Sequence, residues 1–219
     1  LLKLFQKRFY ESFDILSPQS NYDKKYIKKI QPGKKILTIK NWINFNKKIT
    51  KISKNRKIKK IIFGGNIGIG QDKNFIIHLV KVLNNNFSKF KFYMVGSGRG
   101  IIEINKLLNN NRLSNFYIID KLEQKNYVKY LNTFDLGIIS LNKNIKYSNF
   151  PGKLLTYLEC GLPVLAYCSK KIELFKFIKN KKIGCSIDTY NKNVILNSLK
   201  KIFYNKNFKK KNYKLISQN

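Results

Sequence analysis

The residues whose types and spacing could do chemistry are one lysine and two sets of glycines. In the stretch Asn149 to Ala166, NFPGKLLTYLECGLPVLA, Pro151 and Gly152 form a turn and Lys153 falls in the first turn of a short apolar helix. An ammonium at that point joins the free N–H groups of a helix N-terminus to make a compact anion site. Upstream, GGNIGIGQ (64–71) stands between an apolar run and a helical pattern. Glycines there let backbone amides approach a phosphate, and the dipole of the following helix favours its negative charge. A second loop, Gly96-Ser97-Gly98-Arg99, holds the equivalent position one unit later. Each loop alone suits a tight strand-to-helix turn equally well. The first lacks the Gly-Lys-Ser/Thr of a P-loop and departs from the dinucleotide fingerprint. Two such loops at successive strand ends carry more weight than one.

These residues need a scaffold, and the hydrophobic pattern supplies it. Apolar runs at KIKKIIF (57–63), KFYMV (91–95), FYIID (116–120), DLGIISL (135–141) and PVLAY (163–167) read as strands. Between them lie helical patterns: Asp72 to Asn86, with Phe75, Ile76, Leu79, Val80 and Leu83 on one face, then a helix to about Asn111, one from Glu123 to Leu131, and the Lys153 helix. Lys171–Ile178 and Val194–Phe203 read as final helices. Strands alternating with helices imply a parallel sheet with right-handed crossovers, so the expected fold is α/β, a Rossmann-like doubly wound parallel sheet. Ligands of such sheets bind at the carboxyl ends of the strands, where both glycine loops fall. Ahead of this repeat, Ser17 is the expected N-cap and Pro18 the first position of a helix ending near Ile30. The turn QPG and a strand KKILTIK (34–40) follow, and then a basic, aperiodic segment, 41–57, reads as a linker.

Composition narrows the function classes. With 219 residues, 43% of them hydrophobic, the chain can bury a sizeable core. Its apolar runs fall short of the roughly 18 to 20 residues that span a bilayer, and Leu1 to Phe13 lacks the apolar centre and cleavage site of a signal peptide. Three cysteines without a C-x-x-C pair, and one histidine, support neither a disulfide framework nor a zinc site, which points to a reducing cytoplasm. The net charge of +34 is carried by 45 basic residues, only four of them arginine (Arg8, Arg56, Arg99 and Arg112). Arginine is the better fork for phosphates and bases, so its scarcity argues against nucleic acid. Lysine, asparagine and isoleucine abundant together read as the codon bias of an AT-rich genome. Such a surface is also drawn to anionic lipid head groups, at about 1 kcal/mol per well-placed Lys or Arg. Peripheral membrane contact is therefore a second expectation.

The motifs GGNIGIGQ, VGSG after a strand, FDLGIISL and FPGKLLTYLECGLPVLA, in this order and at these intervals, resemble the C-terminal, donor-binding half of a family 4 glycosyltransferase of the GT-B type. The bacterial branch that builds O-antigen and capsule sugars is the most similar. The resemblance runs from about Ile58 to Tyr204, and the helix with Gly-Leu-Pro-Val after it is its most specific piece. RFYESFDILSPQS and ILTIKNWINF resemble the last part of the N-terminal acceptor domain and the Asn41-Trp42 opening of the interdomain linker. The implied division is residues 1–45, a remnant of the acceptor-binding domain with the start of the linker, and 46–219, the nucleotide-sugar-binding domain. Such a chain begins partway through a longer protein and is expected to bind donor but transfer poorly by itself.

In that family the donor's diphosphate lies against the first glycine loop and a basic residue of the fourth motif. The resemblance therefore implies that Gly65, Asn66, Gly68 and Gln71 stand near phosphates or sugar, Gly96 and Gly98 beside the nucleotide, and the Lys121-Leu122 backbone near the base. Pro151, Gly152 and Lys153 would meet the diphosphate, with Lys153 as the catalytic residue that neutralises charge on the leaving group; Arg99 could touch phosphate or merely cap its helix. The implied chemistry is retaining and independent of metal or other cofactor. A sugar, from a UDP donor or a similar one, would pass to a lipid-linked or polysaccharide acceptor on the cytoplasmic membrane face. Two departures bear on this reading. Many relatives carry a glutamate for the ribose hydroxyls where this chain has Thr156, with Glu159 three positions on and expected on another helical face. The Arg and Lys pair common near the first glycine loop is missing, leaving Gln71 or Lys73 as substitutes.

His78 reads as a packing or surface residue and Asp135 as a turn former. The paired carboxylates of a glycoside hydrolase are not apparent. A sugar-nucleotide 2-epimerase of the same fold would need carboxylates and histidines in its cleft, which are scarce here. A non-catalytic module binding nucleic acid or a partner subunit would need lysines concentrated on one face with aromatics between them.

Overall fold

The computed structural model describes residues 2–39, 57–87, 89–109, 115–144, 150–204 and 208. The expected linker (41–57) lies outside them except for Lys57, as do Arg112, Asn149 and the expected boundary between residues 45 and 46.

The first segment comprises α1 (Leu2–Glu11), β1 (Ile15–Leu16), α2 (Asn21–Ile30) and β2 (Lys35–Ile36), with β1 and β2 paired in parallel. The N-cap of α2 is Ser20, whose hydroxyl oxygen accepts the Asp23 amide at 3.0 Å, and not Ser17. Ser17 donates its hydroxyl to the Leu37 carbonyl, and the Pro18 carbonyl accepts the Ile39 amide. Residues 17 and 18 are thus tied to the chain beyond β2, and capping passes to the next serine. The same two bonds tie Leu37 and Ile39 of the expected strand 34–40 to the chain after β1, although only Lys35 and Ile36 join the ladder; Lys40 lies outside the described residues.

The main unit follows: β3 (Lys59–Gly64), α3 (Lys73–Asn86), β4 (Phe90–Val95), α4 (Arg99–Asn109), β5 (Phe116–Ile119), α5 (Gln124–Leu131), β6 (Leu136–Ser140), α6 (Gly152–Glu159), β7 (Val164–Tyr167), α7 (Glu173–Lys181), β8 (Gly184–Ile187) and α8 (Lys192–Tyr204). All six strands run parallel in the order β5-β4-β3-β6-β7-β8. Alternate side chains point to opposite faces, as strand geometry requires. Ile61 and Phe63 pack with α3, α4 and α8, whereas Ile62 packs with α5, α6 and α7. Both faces are covered, which is why these strands read as continuous apolar runs.

Sequence reasoning missed β8, whose residues GCSI have low strand propensity. Gly184 is fixed there by proximity, since a Cβ on it would fall 1.9 Å from the Val164 carbonyl oxygen. Asp135, just before β6, is buried and closes both sides of a pairing: its carboxylate accepts the Lys60 amide at 2.9 Å and its own amide donates to the Lys60 carbonyl at 2.8 Å.

Strand order reverses between β3 and β6, and in open α/β sheets the crevice at such a reversal is where ligands bind. β3 pairs with β4 over six residues but with β6 only through Ile61 and Ile62, opposite Leu136 and Gly137. Beyond Ile62 the two strands part.

Candidate anion site at the switch point

Three loops converge where β3 and β6 part. Gly65 turns the chain out of β3 with φ 99°, in the region that favours glycine, while its amide donates to the Val95 carbonyl at 2.8 Å. Gly96, after β4, lies directly behind it; a Cβ there would come within 2.5 Å of the Gly65 carbonyl oxygen. Gly98 makes room for Asn66, whose Oδ1 lies 2.0 Å from where a Gly98 Cβ would stand. The second glycine loop is therefore a bed for the first. The Asn66 and Ile67 amides have no hydrogen-bond partner among the described residues.

Lys153 approaches this bed from the opposite wall. Pro151 precedes α6 and provides no side-chain cap; its carbonyl accepts the Leu154 amide at 2.8 Å, and the Gly152 and Lys153 amides have no hydrogen-bond partner among the described residues. The lysine stem is partly exposed, yet its Nζ is buried and has no hydrogen-bond partner among the described residues. It lies 3.7 Å from the centroid of the Phe63 ring, a cation–π contact, and 3.8 Å from the position a Cβ on Gly65 would take. Burial pushes its pKa down from 10.5 to about 7. A buried cation held by an aromatic face alone is costly to fold, and an anion between it and the free amides would offset that cost.

Some expected contributors have other work. Asp72 caps α3 by accepting the Phe75 amide at 2.9 Å, so the α3 N-terminus already holds a carboxylate in place of the expected phosphate. Gln71 spends its Oε1 on the Gly68 amide at 2.9 Å, closing the loop on itself. Lys73 pairs with Glu103 of α4. Thr156 donates its hydroxyl back to the Gly152 carbonyl at 3.3 Å, which takes its proton away from a ribose. Glu159 ends α6 one turn further on; i and i+3 positions are neighbours on a helix surface, so the different face expected for it is a correction. Burial raises its carboxyl pKa. Arg99 opens α4, exposed and without an ion pair among the described residues. Lys121 and Leu122 follow β5 on the same carboxyl edge, with Leu122 packed against the core. His78 is a packing residue, its Nε2 2.7 Å from the Tyr190 carbonyl and its ring edge-on to Tyr190.

Sequence reasoning overlooked Phe63, Tyr157 and Tyr127, because each reads as an ordinary core aromatic. Tyr157 is fully buried, and its hydroxyl accepts the Gly64 amide at 2.9 Å.

No protein-family model and no curated protein sequence matches the chain. Solved structures do. The pneumococcal O-GlcNAc transferase GtfA, solved with UDP and GlcNAc, superposes with TM-score 0.74 at 14% identity, covering 98% of this chain and 44% of its own. WaaG, a glycosyltransferase involved in lipopolysaccharide biosynthesis, gives 0.67 at 14%, covering 93% of this chain and 58% of its own. The C-terminal domain of LpcC from Francisella tularensis, a glycosyl transferase group 1 family protein, gives 0.58 at 14%, covering 73% of this chain and 85% of its own. The chain thus spans about half the length of GtfA and WaaG. At these identities the likeness is one of architecture: the chain has the Rossmann-like α/β fold of GT-B glycosyltransferases.

Proposed function

We propose that the chain is the donor-binding part of a glycosyltransferase, family 4-like and retaining. It would move a sugar from a nucleotide donor, UDP-linked by preference, to a lipid-linked or polysaccharide acceptor in cell-surface polysaccharide assembly. The observation that carries the proposal is the buried Lys153 ammonium, without a hydrogen-bond partner among the described residues, beside the Gly65 turn at the switch point. GtfA, of the same fold, is a transferase solved with UDP.

In this reading the donor diphosphate lies between Lys153 and the Asn66 and Ile67 amides. As the glycosidic bond breaks, negative charge grows on the departing diphosphate, and the ammonium stabilises it. Interactions that strengthen in the transition state raise the rate, whereas equal binding of ground and transition state does not. The nucleoside extends past Gly98 toward the Lys121-Leu122 edge. The proposal assigns charge neutralisation to Lys153 and calls on no metal or other cofactor. We place the protein in the cytoplasm, peripheral to an anionic membrane face to which its +34 charge is attracted. No described helix is long and apolar enough to cross a membrane. Nucleic acid is not proposed as a partner.

A thermal-shift panel of UDP, GDP, ADP, CDP and uridine tests this. Selective stabilisation by UDP is expected, worth about 2.7 kcal/mol at a hundredfold excess over Kd. Equal response to every nucleotide, or none, would refute it.

A further inference from the structure

We propose that Tyr157 is a positioning residue for the Lys153 ammonium, its hydroxyl wedging β3 from β6 so that the amine stands over Phe63 and beside the Gly65 turn. The inference rests on the functional reading above only for its consequence in binding. Its geometry stands alone. Where the β3–β6 ladder stops after two residue pairs, the Tyr157 hydroxyl takes the place of the missing bonds. It accepts the Gly64 amide at 2.9 Å and lies 3.5 Å from the Ile62 carbonyl and 3.4 Å from the Ile138 carbonyl, so one oxygen touches both strands. Backbone groups buried at a break in a ladder must find other partners, and this phenol provides them.

Glycines on both strands leave room for the tyrosines packed here. A Cβ on Gly137 would fall 2.5 Å from the Tyr157 ring, so only glycine lets the ring slide across β6. A Cβ on Gly64 would fall 1.7 Å from the Tyr127 hydroxyl, which braces the same residue from α5. Tyr157 follows Lys153 by one helical turn, and Gly64 precedes Gly65, against which the Lys153 Cε and Nζ rest. A single hydroxyl thus ties the helix bearing the amine to the strand end bearing the turn, four residues from one and one residue from the other. With it gone, α6 and β3 are free to settle at another separation.

Tyr157→Phe keeps the ring and removes only this tie. The first readout needs no ligand. In the full-length protein, the Lys153 Cε methylene resonance, assigned by its disappearance in Lys153→Arg, is expected upfield because the Nζ it carries lies 3.7 Å from the Phe63 ring centroid. Tyr157→Phe should collapse that displacement, and an unchanged resonance overturns the proposal. The second readout is UDP affinity, expected to fall about tenfold in Tyr157→Phe, with uridine affinity unchanged and no further loss when Lys153→Met is added. Equal losses for UDP and uridine, or losses that add, overturn it as well. If Tyr157→Phe does not fold, Gly137→Ala, whose methyl would fall 2.5 Å from the Tyr157 ring and push it from its seat, carries the same resonance test, and an unchanged resonance is decisive against. Should the wild-type protein bind no UDP, the functional reading fails while the resonance still decides this one.

Discussion

The crevice between β3 and β6 and the flank of β7, β8 and α7 are built on one sheet by opposite rules. On the flank, β7 pairs with β6 and with β8 over all four of its residues, and Val164, Leu165, Ala166 and Tyr167 are all buried. Its ion pair, Lys170 with Asp188 at 3.2 Å, stays at the surface. In the crevice the ladder stops after two pairs, a phenol replaces the missing bonds, and an ammonium is buried against an aromatic face. The flank contributes stability. The crevice holds groups whose desolvation folding alone does not offset, and such violations of packing rules concentrate where a molecule binds something.

The contrast breaks most sharply at Lys153. In the full-length protein Lys153→Met should lower the rate of sugar transfer by about 10² to 10³, measured as kcat. Its ligand-free melting temperature should not fall, because an apolar side chain replaces an unpaired buried cation. A falling melting temperature with an unchanged rate would move Lys153 into the class of the flank. Ile178→Ala, in the buried face of α7, should do the reverse. A denaturant titration is expected to show a loss of about 2 to 4 kcal/mol, while UDP affinity of the folded protein stays the same.

Gly96→Ala lies between the two. Its new methyl would meet the Gly65 carbonyl at 2.5 Å in a backbone with φ 152°, so stability should fall by about 1 to 3 kcal/mol. Calorimetry should show UDP binding weakened more than uridine binding, because the first loop moves off its bed.

The gentlest test is pH. Lys153 titrates near 7 in the ligand-free fold against 10.5 when unfolded. Between these values the unfolded chain binds more protons, so the penalty of burying the ammonium, full and constant below about pH 7, is relieved and ligand-free stability should rise as pH climbs from about 7 toward 10.5. UDP affinity should run the other way, falling above pH 7 by at most about tenfold per unit as the ammonium is lost. Melting temperatures with and without UDP measure both slopes, and Lys153→Met should flatten both. Slopes of the same sign would contradict the assignment.

Much of the scaffold was legible in the chain itself. Helical spacing of Phe75, Ile76, Leu79, Val80 and Leu83 located α3, with Asp72 just outside it as cap, and the apolar runs located β3 to β7 within a residue or two. β8 was not legible because glycine, cysteine and serine carry no strand signature; close packing on Val164 selects the glycine. At Ser17 and Ser20 two residues offered the same local chemistry, and a bond to Leu37, twenty residues away, decided between them. Lys73 read as a free cation until Glu103, thirty residues on, claimed it.

Glycine at 65, 96 and 98, and a lysine opening an apolar helix, are local facts, and the sequence alone determined which residues at the strand ends are candidates for an anion site. What only the tertiary structure decided is that the Lys153 amine is buried over Phe63 beside the Gly65 turn, and which tyrosine joins its helix to that strand. Burial of an amine, the parting of two strands and the filling of that gap by a phenol depend on contacts between residues some ninety positions apart, 64 with 157 among them. No periodicity encodes such contacts, because they arise where strand order reverses, and strand order is a property of the packed sheet.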